Sequence, residues 1–360
     1  MTEMLHRNPD SFQPPPFIPH PIFRGGHLQT ITPIGGRSPK SLRKSLSPTA
    51  IPVQVSDGDS IVLHEDLPCV DSPRVALPCV DLPEVDLSEV DSAMAGASVL
   101  LVHGLTGCHT ADYMVRLAGR LTRRGLRIYR MDMRGFGAAT GLTRNLSHAG
   151  RSDDCMAALG AIAERCPSGP IFAVGISLGA GQLLRAMGRV GAGLDASPAW
   201  MDRFAGLVAV SPPLDLARCS DNMQRLRLRP YNRYFIRSLL SRIPPGVRDR
   251  DDFAACVAGP RPRTLRELDD RFTAPLSGFR SAADYYDASS SCHVVDRIGV
   301  PTLVLTAVDD PIVPVDCFGG DQSWSDSTRL MVLPTGGHVG FIDRRRRSWM
   351  DDAIEKWVMG

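Results

Sequence analysis

Residues 171–181 of this 360-residue chain read Ile-Phe-Ala-Val-Gly-Ile-Ser-Leu-Gly-Ala-Gly. The apolar run predicts a buried strand, and residues 182–190 predict the helix that follows it. Between them lies Gly-x-Ser-x-Gly, the pattern of a sharp turn that exposes a nucleophilic serine at the top of a sheet. We therefore expect Ser177 to project its hydroxyl from this turn, with the N–H group of Leu178 facing a developing oxyanion.

A Gly-x-Ser-x-Gly pattern can also be a packing device, so its interpretation depends on an acid and a histidine that follow in that order. Predicted strands at 302–306 and 329–333 supply both. Asp309 and Asp310 follow the first strand, and His338 follows the second within a glycine-rich loop. A serine hydroxyl needs a base to remove its proton, and an acid holds that base in the right tautomer. The chemistry does not decide between the two aspartates; we prefer Asp310 because it begins the Asp-Pro-Ile-Val-Pro turn.

A second oxyanion donor is predicted upstream. Residues 98–103 form a continuous apolar run, typical of a strand buried on both faces. The run leads into His103-Gly104-Leu105-Thr106-Gly107, a turn that can aim the N–H of Leu105 at the same point as that of Leu178. His103 precedes both the serine and the acids in the chain, which favours a structural role for it.

The order of predicted strands and helices indicates an α/β fold, in which helices flank a mostly parallel central sheet. A helical stretch without an evident strand predicts an inserted cap. An acidic repeat, beginning Leu-Pro-Cys-Val-Asp, interrupts the core, and we interpret it as a surface loop without chemistry of its own. The expected parts are an N-terminal arm at 1–50, a first core part at 51–213 with the acidic insertion at 66–96, the cap at 214–295 and a second core part at 296–360.

Bulk properties exclude several classes of partner. The formal charge of +2 predicts no nucleic-acid or anionic-membrane binding, and the basic run at 344–347 reads as the solvated start of a helix. Nine cysteines without metal-ligand spacing predict reduced thiols, no metal and no cofactor. Neither a secretory signal nor an eighteen-residue apolar run is evident, so we expect no stable membrane anchor and a cytoplasmic location.

The motifs together resemble the YheT-like branch of the α/β-hydrolase superfamily, AB hydrolase family 4. The resemblance implies a serine-dependent carboxylic-ester hydrolase, with Ser177, Asp310 and His338 at the triad positions. It does not assign the Gly-Gly-His-Leu-Gln-Thr segment, where His27 and Gln29 either lock the arm to the core or touch substrate. The motifs that carry it are Gly25–Thr30, His103–Gly107, Arg134-Gly135, Gly278-Phe279, Asp284–Tyr286, Asp309–Pro311 and Gly337–Phe341.

Three functions follow from these residues. The first is hydrolysis of a small-molecule acyl ester, short- to medium-chain or monoacylglycerol-like, through an acyl-Ser177 intermediate. The second is acyl transfer by the same triad, as an alcohol O-acyltransferase or a thioesterase. The third is a non-catalytic binding protein, because fold alone does not fix function.

Overall fold

In the part of the chain that the structure describes, eight strands form one sheet in the order β1-β2-β4-β3-β5-β6-β7-β8. The structure is a computed structural model that describes residues 8–32, 46–68 and 94–360. Strand β2 is antiparallel to both of its neighbours, whereas all other pairs are parallel. The strands are β1 (Thr49–Gln54), β2 (Ser60–Asp66), β3 (Ser98–Val102), β4 (Arg127–Asp132), β5 (Ile171–Ile176), β6 (Phe204–Val210), β7 (Thr302–Ala307) and β8 (Thr328–Leu333).

Helices cover both faces of this sheet. The α-helices of the described residues are α1 (Gly26–Ile31), α2 (Asp112–Thr122), α3 (Ser152–Arg165), α4 (Leu178–Gly191), α5 (Leu216–Met223), α6 (Arg229–Ser241), α7 (Pro245–Arg248), α8 (Phe253–Val257), α9 (Leu265–Leu268), α10 (Ala274–Leu276), α11 (Ala282–Ser289) and α12 (Trp349–Met359). Helices α5 to α11 fall within 214–295, where the structure contains helices and no strand.

Alternation along β3 separates two apolar cores. Val99 and Leu101 pack with side chains of α2 and α12 on one face. Leu100 and Val102 pack with α3 and α4 on the other. Side chains alternate across a strand, so a strand that is apolar at every position must be covered on both faces. The observed layering is the one that the apolar runs predict.

The structure differs from the sequence-based prediction at the start of the last helix. The prediction that a helix starts at the 344–347 run is wrong. These arginines form an exposed turn, and the helix begins at Trp349. The carboxylate of Asp343 accepts the N–H groups of Arg345 and Arg347 and holds this turn. The acidic insertion predicted at 66–96 lies largely outside the described residues, which stop at 68 and resume at 94. The division into core and cap stays a prediction.

The helices within residues 8–32, 46–68 and 94–360 are short or only partly apolar. None of these helices combines the length and the apolar character that crossing a bilayer requires.

Candidate active site

The turn after β5 holds Ser177 in a strained conformation. Its φ of 52° and ψ of −116° are unfavourable for a residue with a side chain. Two glycines make the turn possible: a Cβ on Gly175 would lie 2.5 Å from Ala180 Cα, and one on Gly179 would lie 2.7 Å from the His103 carbonyl oxygen. The Ser177 N–H donates to the Val210 carbonyl at 2.8 Å, which ties the turn to the neighbouring strand.

Three side chains from separate strand ends meet at this turn. His338 Nε2 lies 2.8 Å from Ser177 Oγ, and His338 Nδ1 lies 2.8 Å from Asp310 Oδ2. The other oxygen of Asp310 accepts the N–H groups of Ile312 and Val313 at 2.8 and 3.0 Å. The Asp310 side chain is therefore fully buried and oriented by backbone, while the imidazole is 10% exposed. With Nδ1 protonated towards Asp310, His338 presents an unprotonated Nε2 to the serine hydroxyl.

Asp309 turns away from the imidazole. Its Oδ1 accepts the N–H groups of Gly336 and Gly337 at 2.9 and 2.8 Å, and its Oδ2 accepts the Thr335 hydroxyl at 2.6 Å. Adjacent carboxylates thus serve two purposes, since Asp310 contacts the imidazole and Asp309 shapes the loop that carries it.

The two predicted oxyanion donors border the same cavity as the serine. Leu105 and Leu178 both line it, and Leu178 is the first residue of α4. His103 stays out of the cavity's chemistry, because its Nδ1 bonds the Gly104 carbonyl at 2.8 Å and its Nε2 accepts the Met133 N–H at 3.3 Å. Burial lowers the pKa of the His103 imidazole, which keeps the ring neutral in this role.

The cavity in front of Ser177 is large and mostly apolar. Its volume is about 960 Å³, and side chains of the 214–295 segment supply much of its wall. Among the described residues that line it, Asp269 is the one with a carboxylate. Three arginines also line it, Arg134, Arg227 and Arg242. Burial also lowers the pKa of His148, a further lining histidine, to about 3, so that ring is neutral near pH 7.

The N-terminal arm contacts the two loops that carry the acid and the histidine. Helix α1 is wedged between the loops of the acid and the histidine, and a Cβ on Gly26 would lie 1.5 Å from the Asp309 carbonyl oxygen. The fully buried Gln29 accepts the Ile342 N–H at 2.6 Å and donates to the Ile342 carbonyl at 3.3 Å. Thr30 Oγ1 accepts the N–H of His338 at 2.8 Å.

Gln29 and His27 differ in their surroundings, so the two alternatives for the arm apply to different residues. Gln29 locks the arm to the core. His27 lines the cavity and lies with its ring against Tyr231 of α6, at 5.8 Å between ring centroids. No local pattern predicts the contacts of Gln29 and Thr30, because their partners lie more than 300 positions away in the sequence.

Replacing Thr30 tests whether the arm positions the histidine. Thr30→Val removes the oxygen that accepts the His338 N–H, and we expect kcat on a soluble ester to fall roughly 10–100-fold, because small displacements of catalytic groups have effects of that size. Thr30→Ser keeps the oxygen and should recover most of the loss. The measurement is kcat and KM of both variants. Equal activity of the valine and serine variants would contradict a positioning role.

Asp269 is a buried acid at the cavity wall, in a π-helical turn, Asp269–Thr273. Its oxygens accept the hydroxyls of Thr273 at 2.7 Å and Tyr286 at 2.8 Å. Burial raises the pKa of Asp269 to about 6. Tyr286 belongs to the Asp-Tyr-Tyr motif, so this motif fixes a polar group at the wall.

The raised pKa predicts a pH-dependent stability difference. The folded chain binds more protons than the unfolded one between pH 3.8 and about 6, so Asp269 lowers the free energy of unfolding as the pH rises through this window. Asp269→Asn lacks this titrating group. From the lower to the upper end of the window, its free energy of unfolding should therefore rise by about 3 kcal/mol relative to that of the parent. Urea unfolding of both proteins at several pH values measures it. A difference that does not change with pH would contradict the assignment.

One cluster of described residues brings three possible metal ligands together. His64 Nε2 and His109 Nδ1 lie 2.9 and 2.7 Å from Asp132 Oδ2, and the three ligand atoms lie within 4.8 Å of one another. The two rings, however, stack 3.5 Å apart and 14° from parallel. A metal binds an imidazole nitrogen in the ring plane, and two parallel rings cannot both direct a lone pair at one ion. Burial opposes the charge of Asp132, but hydrogen bonds from both histidines hold the pKa of its carboxyl below the usual range. This arrangement is a hydrogen-bonded stack, not a coordination site.

Comparison with known proteins gives matches along most of the chain. The family model Hydrolase_4, described as serine aminopeptidase, S33, matches residues 93–324. The protein of Escherichia coli K12 named "Putative esterase YheT" is 26% identical over 356 residues, which is 95% of this chain and 92% of that protein. Medium-chain fatty acid ethyl ester synthase/esterase 2 of Saccharomyces cerevisiae is 29% identical and phospholipase ABHD3 of Mus musculus 26% identical, each over 72% of this chain. The matches span 61% and 63% of those two proteins.

Solved structures share the fold at low sequence identity. The Pyrococcus furiosus esterase Pf2001 has a TM-score of 0.55 at 15% identity, covering 97% of this chain and all of that one. 2,6-Dihydroxy-pseudo-oxynicotine hydrolase has a TM-score of 0.53 at 18% identity, covering 89% of this chain and 71% of that one. The expected α/β-hydrolase fold is thereby confirmed, as is the resemblance to YheT-like proteins.

Proposed function

Because the chain belongs to the Hydrolase_4 family, described as serine aminopeptidase, S33, we propose that it is a serine hydrolase that cleaves carboxylic acyl esters through an acyl-Ser177 intermediate. The observation that carries the proposal is the unbroken pair of 2.8 Å contacts from Asp310 through His338 to Ser177 Oγ. The names of the YheT, yeast and ABHD3 relatives, an esterase, an ester synthase/esterase and a phospholipase, support ester chemistry.

In the proposed reaction, Ser177 Oγ attacks the ester carbonyl while His338 Nε2 takes its proton. Asp310 stabilises the imidazolium that forms. The imidazolium then gives this proton to the departing alkoxide. In the second half of the reaction, water attacks the carbonyl of the acyl-enzyme while His338 takes a proton from it. The proton passes to Ser177 Oγ as the carboxylic acid leaves. The N–H groups of Leu105 and Leu178 would stabilise the oxyanion, an effect worth roughly 10²–10³ in rate for each donor.

The cavity favours an acyl ester over a peptide with a free amino terminus. An aminopeptidase has to bind an ammonium group, which calls for an available carboxylate near the serine. The lining carboxylate, Asp269, already accepts hydrogen bonds from two hydroxyl donors, those of Thr273 and Tyr286. Apolar side chains dominate the rest of the described wall, which suits a hydrocarbon chain.

The size of the cavity bears on the substrate. About 960 Å³ is near the upper end of the roughly 300–1,000 Å³ of small-molecule sites. This volume supports short- to medium-chain esters or monoacylglycerol-like substrates, in which an acyl chain and a small alcohol are accommodated together.

A fluorophosphonate probe tests the nucleophile directly. We expect the folded protein to be labelled at Ser177, and Ser177→Ala to remain unlabelled. A panel of p-nitrophenyl esters of increasing chain length then defines acyl preference. Absence of labelling in folded protein, with ligand binding unchanged in Ser177→Ala, would favour the non-catalytic binding protein.

Acyl transfer is distinguished by the fate of the acyl group. Added alcohol competes with water for the acyl-enzyme, so the ratio of ester to acid among the products measures the partition. A product that is mainly acid supports a hydrolase, and one that is mainly ester supports an O-acyltransferase. A panel of acyl thioesters beside the matching oxygen esters tests the thioesterase alternative.

A further inference from the structure

Residues 224–243 contain six arginines and no acidic residue. Five of them, Arg225, Arg227, Arg229, Arg233 and Arg237, are exposed and are called the arginine rim below. The ion pairs of the neighbouring helices involve other arginines, because they join Arg218, Arg250 and Arg266 to aspartates. Within the described part of the chain, no carboxylate forms an ion pair with the rim.

Three members of the arginine rim share one face of α6. Arg229, Arg233 and Arg237 are spaced by four residues, so their side chains follow one another along the helix. Like charges at this spacing destabilise a helix by a few tenths of a kcal/mol for each pair in the absence of a partner. Tyr231 and Phe235 lie on the opposite side of α6, and both line the cavity.

The rim borders the mouth of the cavity. Arg227 and Tyr234 line it, as does Ile31 of the arm, which is held beside α6 by the ring contact of His27 with Tyr231. Three large apolar side chains are exposed on these elements: Leu226 is 70% exposed, Ile31 64% and Tyr234 60%. Large aliphatic side chains beside unpaired arginines mark an interaction surface.

The net charge of the chain conceals this surface. A formal charge of +2 averages over the whole molecule, whereas a charged partner feels only what lies within a Debye length of about 8 Å at physiological salt. Over that distance the rim is strongly cationic. The sequence-based expectation of no anionic-membrane partner therefore does not apply to this face.

We propose that the arginine rim docks the mouth of the cavity on an anionic phospholipid surface, with Leu226, Tyr234 and Ile31 entering the interfacial layer. Each arginine near an anionic leaflet strengthens binding by roughly fivefold, and a tyrosine and aliphatic side chains suit the boundary between headgroups and acyl chains. The aliphatic component favours a bilayer over a nucleic acid, whose phosphates would satisfy the arginines alone. Docking itself is independent of catalysis; delivery of a lipid ester into the cavity rests on the proposed esterase function.

Vesicle flotation tests the proposal on the full chain carrying Ser177→Ala, so that no lipid is consumed. We expect binding to vesicles of equimolar phosphatidylcholine and phosphatidylglycerol, little binding to phosphatidylcholine alone, and a loss of binding as salt is raised. Combined Arg225→Gln, Arg229→Gln, Arg233→Gln and Arg237→Gln substitutions should weaken binding roughly 10²–10³-fold. None of these four residues lines the cavity, so with Ser177 restored the variant should hydrolyse a water-soluble ester at the parent rate.

The turn at 344–347 supplies a matched control. Combined Arg344→Gln, Arg345→Gln, Arg346→Gln and Arg347→Gln substitutions remove the same charge from another exposed site and should change vesicle binding less than fivefold. Leu226→Ser should weaken binding to anionic vesicles without changing its salt dependence. The proposal would be overturned by equal binding to both vesicle types or by equal losses of binding in the two quadruple variants. It would also be overturned if the protein slowed the electrophoretic migration of RNA through the rim arginines without binding vesicles.

Discussion

Ser177→Ala and His338→Ala are each expected to lower kcat for a soluble ester by a factor on the order of 10⁶, and the double variant should be little worse. The reason is geometric: Nε2 and Oγ are 2.8 Å apart, so the base acts only through the hydroxyl it deprotonates. Removing either group leaves the other without a function. Steady-state kinetics of the two single variants and the double variant measure this.

Two controls make the result interpretable. Circular dichroism and thermal unfolding should be close to those of the parent, because both side chains lie at the cavity rather than in either core. Asp153→Ala, a change in the first turn of α3, should leave kcat unaltered. If the two single losses multiplied in the double variant, the serine and the histidine would act independently, and the proposed mechanism would fail.

The second large effect is expected at Asp310. Asp310→Asn should lower kcat by roughly 10⁴, because an amide oriented by the same backbone donors favours the wrong imidazole tautomer. KM should change little, since Asp310 is fully buried behind the imidazole.

Asp309→Asn is the matched comparison, one residue away with the same chemical change. Its carboxylate accepts three donors from the histidine loop, so we expect a loss of about 1–3 kcal/mol in the free energy of unfolding and a smaller loss of kcat. Kinetics and urea unfolding of both variants distinguish them. A larger kcat loss in Asp309→Asn would reassign the acid.

Much of the site follows from local sequence. The glycines around Ser177 announce a turn that only small residues permit, and acids and a histidine after two successive strands must meet at one edge of a parallel sheet. The sequence also predicts strands β3, β5 and β7 to within a few residues, because burial on both faces requires an unbroken apolar run.

Other features depend on distant contacts. Asp309 and Asp310 are chemically alike, and only the course of the loop decides which one faces the imidazole. The contribution of Gln29 and Thr30 depends on partners near residue 340, which no local pattern reveals. The arginine rim is visible as composition, but its exposure and its position at the cavity mouth arise from the way α6 packs.

The wedge formed by α1 has a consequence for how the protein loses activity. Helix α1 is only six residues long, too short to be stable without its tertiary contacts, and local opening of such a segment requires far less free energy than melting of the central sheet. The loop that carries His338 is hydrogen-bonded to this segment through Thr30. As denaturant is added, enzymatic activity should therefore be lost before the cooperative loss of ellipticity. The amide protons of 26–31 should likewise exchange with solvent sooner than those of β5.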